Sequence, residues 1–253
     1  MSDEELSAYY SSLESGHWEY PTLNPPERQI SALIASLPQG SNILDFGCSS
    51  GRLLKPWVNQ HRCFGFEING AAAEKAAERG LVMLTEETLW SEHENQFHMV
   101  ILVDVFEHLR HPAELLRRLW SLISPGGCLV VGTGNGDHWA CRLDPAQFWY
   151  FRNLEHLCML THKYAVYLEK ELAGAGKSWV TLSHYDVPWH ARMRLHVAHA
   201  AYWIVQYSPE PVRMVLSWLP GFRKAARWNN APNYGCCKDH VVFTVKKPSV
   251  EVS

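Results

Sequence analysis

Residues 43–54 read ILDFGCSSGRLL. Ile43 and Leu44 belong to an apolar, strand-like run that reaches an acid, Asp45, near its end and then passes into a glycine-rich turn and a helix start. Gly47 and Gly51 permit a tight turn and a close approach of bare backbone to a ligand, where a Cβ would clash. The helix that follows would present unpaired N–H groups at its first turn. A turn of this kind seats a nucleotide-like ligand. A dinucleotide site needs G-x-G-x-x-G to hold a pyrophosphate, and Gly47-Cys48-Ser49-Ser50-Gly51 lacks the middle glycine.

Residues 63–67, CFGFE, predict a second short buried strand that also ends in an acid. Glu67 stands sixteen residues after Gly51. An acid at the end of the second strand of a βαβ unit accepts hydrogen bonds from the ribose hydroxyls of a bound nucleoside; the alternative is a solvated strand-end acid. GAAAEKAAER (70–79) predicts a helix, rich in alanine and charge, and Gly80 suits its C-cap.

With these pieces the chain resembles the class I S-adenosylmethionine (SAM)-dependent methyltransferases, over residues 28–185 and 239–247. The first motif of that family, D-x-G-C-G-x-G, is matched at Asp45, Gly47, Cys48 and Gly51, with Ser49 as a departure. The ribose acid falls on Glu67. The adenine-contacting segment falls loosely on Leu84-Thr85-Glu86, with Thr85 where an aspartate is more usual. The fourth-strand motif falls on VILVDVFEHL, with Asp104, Glu107 and His108 in register. Ser124-Pro125-Gly126-Gly127 before the apolar CLVVG marks the fifth strand.

The resemblance implies a Rossmann-like α/β fold: a seven-stranded mixed sheet with helices on both faces, an antiparallel last strand and a helical insertion before it. It implies SAM as cofactor and S-adenosylhomocysteine as product. The cofactor-binding set is Asp45, Gly47, Cys48, Ser49, Gly51, Glu67, Ile68, Thr85, Asp104 and Val105. SAM has no pyrophosphate; its ammonium and sulfonium are cationic, and Asp45 can serve them directly or through water.

Composition fits one globular enzyme-sized domain spanning 1–253. Hydrophobic residues make up 47% and charged residues 19% of the chain, too apolar for a disordered one. The formal net charge of −3 argues against nucleic acid as a partner. MSDEELSAYY carries no apolar signal core, no apolar run is long enough to span a bilayer, and seven irregularly spaced cysteines suit reduced thiols. A cytoplasmic location is expected.

Around the core, residues 1–27 form an N-terminal cover segment, with His17-Trp18 over the cofactor. A helix near 27–37 leads into the first strand. Pro112 opens a helix at N1, 163–173 is helical, and SWVTLSHY (178–185) and DHVVFTVKK (239–247) are the sixth and seventh strands. Ligands of open α/β sheets bind beyond the carboxyl ends of the strands. Two long connections, 133–162 and 186–238, emerge there, and such insertions are often functional. They are expected to build the acceptor pocket, with Trp149, Tyr150 and Phe151 either stacking on a sugar or aromatic acceptor or packing the insertion onto the sheet.

Methyl transfer from an activated sulfonium needs alignment more than covalent help. An oxygen acceptor must also lose its proton, a task for a histidine with a near-neutral pKa. His108, after the fourth strand, is the first candidate base and His156 the second; each alternatively plays a structural part. Asp104 is expected to position the cofactor or its base; the alternative is a strand-end acid. No metal is expected: His196/His199 lack a completing acid, and Cys236-Cys237 with His240 is likewise incomplete.

Residues 196–219, broken by Pro209 and Pro211, read as two short amphipathic helices packing over the active site. The basic character of the insertion keeps an anionic substrate, a lipid-linked sugar or a membrane surface as further partners. The expected activity is O-methylation of a sugar or small secondary metabolite. The alternatives are a non-catalytic SAM-fold binding protein and, further off, a nucleotide-dependent oxidoreductase.

Overall fold

A computed structural model of the chain describes residues 22–153, 155–173, 177–183, 188–227 and 238–249. Seven strands form one sheet: β1 (Asn42–Phe46), β2 (Arg62–Phe66), β3 (Val82–Met83), β4 (Phe97–Val103), β5 (Ile123–Gly134), β6 (Lys177–Ser183) and β7 (His240–Lys246). Their order is β3-β2-β1-β4-β5-β7-β6. β7 runs antiparallel between β5 and β6, and the other neighbouring pairs are parallel. The chain winds one way from β1 through β2 to β3 and the other way from β4 onward, so the switch point lies between β1 and β4. Ligands of such sheets bind there, beyond the carboxyl ends.

The central strands are apolar on both sides, as buried parallel strands must be; in β4, Met99 through Leu102 are all at most 2% exposed. One face is covered by α1 (Pro25–Ile34) through Ile30 and Ile34 and by α2 (Gly70–Glu78) through Ala76. The other is covered by α3 (Glu86–Glu92), α4 (Pro112–Leu122) and α6 (His162–Ala173), through Leu89, Leu116, Leu119, Ala165 and Leu168. The expected seven-stranded sheet with an antiparallel last strand is therefore what forms.

Differences from the sequence reading are local. α1 starts at Pro25 because Asn24 and Glu27 close a capping box: Glu27 N–H donates to Asn24 Oδ1 (2.9 Å) and Asn24 N–H to Glu27 Oε2 (2.6 Å). β5 reaches back to Ile123, through the Pro-Gly-Gly turn, with a register shift against β4 between Phe97 and Met99. In the second insertion, the predicted pair of short helices is instead a 19-residue helix, α7 (Trp189–Tyr207), followed by α8 (Glu210–Trp218). Pro209 and Pro211 set the break between them, and no proline or glycine interrupts the chain back to Trp189.

The first insertion carries α5 (Trp139–Leu143) and two 3-10 turns, Pro145–Gln147 and Trp149–Arg152. His17, Trp18, residues 184–187 and Cys236-Cys237 lie outside the described residues.

Candidate active site

The turn after β1 is shaped by positive φ angles at Gly47 (79°), Ser49 (47°) and Gly51 (75°). A Cβ on Gly47 would come within 2.4 Å of Val105 Cγ2, so this loop packs directly against the segment after β4. Ser49 takes a left-handed conformation more often filled by glycine or asparagine, which explains how the loop keeps its course despite the departure from the glycine pattern.

Glu67 closes the loop. Its Oε2 accepts the Ser49 N–H (2.8 Å) and its Oε1 the Asn69 N–H (2.8 Å). Asn69 in turn caps α2 by accepting the Ala72 N–H (3.0 Å). A carboxylate has about four lone-pair sites, so two remain for a pair of vicinal hydroxyls. Ile68 beside it is 46% exposed, an apolar side chain turned to solvent at the edge of the cleft. Thr85 is exposed and its hydroxyl accepts the Thr88 N–H (3.2 Å) as the N-cap of α3.

Asp45 is buried, 4% exposed, at the end of β1. Desolvation, then the charges of Glu27 and Glu67, push its carboxyl up to about 8. Glu27, also buried, is paired with Arg52 (2.5 Å); burial raises its carboxyl against the pull of the Asn24 N–H and of Arg52. Asn24 reaches on to Asp104, donating from Nδ2 to Oδ2 (3.1 Å). Asp104 has a φ of 53°, a strained conformation of the sort retained at functional sites. It is solvent-accessible, yet desolvation and then Glu107 push its carboxyl up to about 6, with His240, His108 and Asn24 pulling the other way. Asp104 thus stands open to solvent at the end of β4 while crowded by Asn24, Glu107, His108 and His240.

Asn24, Glu27 and Arg52 were not singled out as site residues from the sequence. The N-x-x-E pattern at 24–27 was the available signal.

This acid-rich cleft fits a cationic ligand with a ribose. Asp45 alone then predicts a proton linkage. Below about 8 its carboxyl is largely protonated, and a neighbouring ammonium or sulfonium favours the carboxylate, so binding expels a proton. Affinity for SAM should rise as pH rises toward that value and flatten above it. Calorimetry in buffers of different ionisation enthalpy checks this, and Asp45→Asn should abolish the proton release.

Past Asp104 lies a buried polar knot. Glu107, 1% exposed, accepts hydrogen bonds from the Thr133 hydroxyl (2.8 Å) and from the Tyr150 hydroxyl. Its backbone carbonyl accepts the Leu157 N–H (2.6 Å). Tyr150 is itself buried, with its ring against the Cα of Gly134, where a Cβ would lie 2.6 Å from it. It packs the insertion onto the sheet and offers no stacking face to an acceptor, which settles for Tyr150 the choice left open by the sequence. Phe148 is buried as well, whereas Trp149 and Phe151 are half-buried.

His108 and His156 meet across this knot with ring centroids 4.9 Å apart. His156 Nδ1 donates to the Tyr150 carbonyl (2.7 Å) and His108 Nδ1 to the Glu155 carbonyl (3.1 Å), since a carbonyl oxygen only accepts. Desolvation lowers both imidazoles below the ordinary histidine value, outweighing the backbone bonds and the nearby acids. Both rings are thus neutral near pH 7.

A third histidine, His240, starts β7 on the same side. Its Nδ1 lies 2.9 Å from Asp239 Oδ1, and its ring packs against Trp149 and Tyr150. Desolvation lowers it, but the bond to Asp239 and the charges of Asp239, Asp104 and Glu107 prevail and raise it. From sequence His240 was read only beside the cysteines.

Glu107, His108 and His156 bring one possible metal-ligand atom each within 4.8 Å of one another. The residues are 49 positions apart at their extremes, and no spacing in the sequence announces them. Of the two histidines at i, i+3 spacing, His199 is buried and His196 exposed.

Comparison with known proteins identifies the family. A family model described as a methyltransferase domain matches residues 20–176. A ubiquinone biosynthesis O-methyltransferase of Caulobacter sp. (strain K31) is 34% identical over 110 residues, covering 38% of this chain and 42% of that protein. One from Escherichia coli O157:H7 is 26% identical over 164 residues, 58% of this chain and 68% of that protein. The chain thus spans less than half the length of the Caulobacter relative. The N-methyltransferase NodS from Bradyrhizobium japonicum, solved with S-adenosyl-L-homocysteine, superposes with a TM-score of 0.54 at 12% identity, over 96% of this chain and 97% of that one. With the family model covering more than half of its residues, the chain belongs to the methyltransferase domain family and is a class I SAM-dependent methyltransferase.

Proposed function

We propose that the chain methylates a hydroxyl oxygen of a small acceptor, a sugar or secondary metabolite, with His108 as general base and His156 as its neighbour or substitute. The observation that carries this reading is the meeting of these two neutral imidazoles beyond the strand ends, next to Asp104. The names of the O-methyltransferase relatives support oxygen as the methylated atom.

The donor is SAM, which supplies a methyl group already activated on a sulfonium. In this reading Glu67 holds the ribose hydroxyls, Asp45 with Glu27 receives the cationic end, and the Gly47–Gly51 backbone lies against the ligand. Asp104, fixed by Asn24, aligns donor and acceptor, the step that contributes most where the leaving group is good. A histidine then needs only to accept the hydroxyl proton as the oxygen attacks. His240, raised by Asp239, is suited to hold a proton beside Tyr150.

A second reading is favoured by the Glu107, His108 and His156 cluster. A divalent cation held there would lower the pKa of the acceptor hydroxyl in place of a base.

Incubation of the purified chain with SAM labelled at its methyl carbon and a panel of phenols, sugars and amines tests the proposal. Carbon NMR should show the label on oxygen in a hydroxylated acceptor. Label on nitrogen alone overturns the O-methylation reading, and SAM binding without transfer to any acceptor favours the binding-protein alternative.

A further inference from the structure

The second insertion is apolar on two sides. α7 buries His199, Tyr202, Trp203 and Val205 against the rest of the insertion and the 138–151 segment, where the Tyr202 hydroxyl donates to Gln147 Oε1 (2.9 Å). Its opposite side carries Trp189, Met193, Val197, Ile204 and Tyr207, all between 50% and 78% exposed. At 100° per residue these five fall within an arc of about 80° along the whole helix. α8 has no buried residue at all, and its Val212, Met214, Val215 and Trp218 are 46–83% exposed. A helix gains most of its stability in a protein by burying an apolar face, and the apolar side chain that α8 turns inward is Leu216, half-buried against the cluster of Ala201, Tyr202, Trp203, Val205 and Ala225.

We infer that α7 and α8 form a docking surface for an anionic lipid bilayer. Charge decides the occupant. Residues 188–227 carry six basic side chains and one acid, Glu210, in a chain whose formal net charge is −3. Arg194, Arg213, Arg223, Lys224 and Arg227 are exposed, and Arg192 and Arg194 flank the α7 stripe on either side. A second copy of the chain meeting this face through a two-fold axis would set these cations against each other, whereas anionic headgroups would neutralise them, at about 1 kcal/mol per basic residue near the surface.

The composition is that of an interfacial helix: tryptophan and tyrosine among aliphatic side chains, edged by arginine. No helix among the described residues is long and apolar enough to cross a membrane, so the pair lies in the interface plane. Because α7 packs on the 138–151 segment, docking brings that wall of the cleft toward the bilayer and gives the enzyme access to acceptors held there. This goes beyond the O-methylation reading and stands whichever atom is methylated.

Co-sedimentation of the full chain with vesicles tests it. The chain should sediment with phosphatidylcholine–phosphatidylglycerol vesicles, far less with phosphatidylcholine alone, and be released by salt. The double variant Val215→Asp, Trp218→Ser should lower partitioning about tenfold or more, since the apolar area lost is worth over 1.4 kcal/mol, while leaving SAM binding unchanged. Arg213→Glu with Arg223→Glu, which touches no buried residue, should do the same. The inference is overturned if the wild-type chain stays in the supernatant with both vesicle types, if charge reversal leaves sedimentation unaltered, or if sedimentation velocity shows that the exposed face instead joins two copies and the double variant yields monomers.

Discussion

Replacing Glu67 by alanine is expected to weaken SAM binding about 100-fold or more, because two hydrogen bonds to a charged acceptor are lost together. The structure sharpens this expectation. Glu67 is already engaged by the Ser49 and Asn69 N–H groups, both at 2.8 Å. The carboxylate that would receive the ribose also holds the glycine loop to the end of β2, so its loss removes ligand contacts and loosens the surface those contacts stand on. Glu67→Gln separates the two parts. A glutamine keeps one oxygen for a backbone N–H but turns an NH₂ toward the other, and its loss should fall between wild type and alanine. Calorimetry on the folded variants, with circular dichroism to confirm their secondary structure, reads the effect. Unchanged SAM affinity in Glu67→Ala would remove Glu67 from the ribose role and with it the alignment of the whole cofactor site.

That site was legible because its parts are short and contiguous. Asp45, the Gly47–Gly51 turn and Glu67 sit at the ends of adjacent strands, where local pattern and strand order together determine position. Asp104 followed from the same logic one strand further on. The positive φ angles of Asp104 and Ser49 were not foreseeable, since they sit where the fold brings distant segments together: Val105 lies against Gly47, and Ser49 gives its N–H to Glu67.

The acceptor side was less legible for a physical reason. Its organising contacts join residues far apart in the chain: Tyr150 to Glu107, Thr133 to Glu107, His108 to His156. Type alone left Tyr150 between stacking and packing, and its hydroxyl bond to Glu107 and the bare Gly134 draw it into the core. In the second insertion the two prolines gave the right break but concealed the length of α7. A helix apolar on opposite sides shows no clean single-face period, so its exposed stripe could not be separated from its buried one by pattern.

Replacing His108 by alanine should lower kcat about 100-fold or more, the range typical of a lost general base, with SAM affinity left intact. The size of that effect alone does not separate a base from a metal ligand, since His108 stands in both arrangements. The pH dependence and the response to a chelator do. Desolvation holds His108 below the ordinary histidine value, so a neutral base is present at pH 7, and wild-type turnover should fall only as pH drops through that lowered pKa. In His108→Ala this acidic limb should vanish, and added imidazole should restore part of the rate. His156→Ala should then cost less, since His156 donates to the Tyr150 carbonyl and serves mainly to seat the first ring. If a cation held by Glu107, His108 and His156 performs the activation instead, EDTA should abolish wild-type turnover and Mn²⁺ restore it. His156→Ala and His108→Ala should then be equally impaired, and imidazole should rescue neither. Undiminished turnover in His108→Ala removes His108 from both readings and leaves the proton to His156, its substitute, or to His240, which packs on Tyr150 and carries its own acid, Asp239.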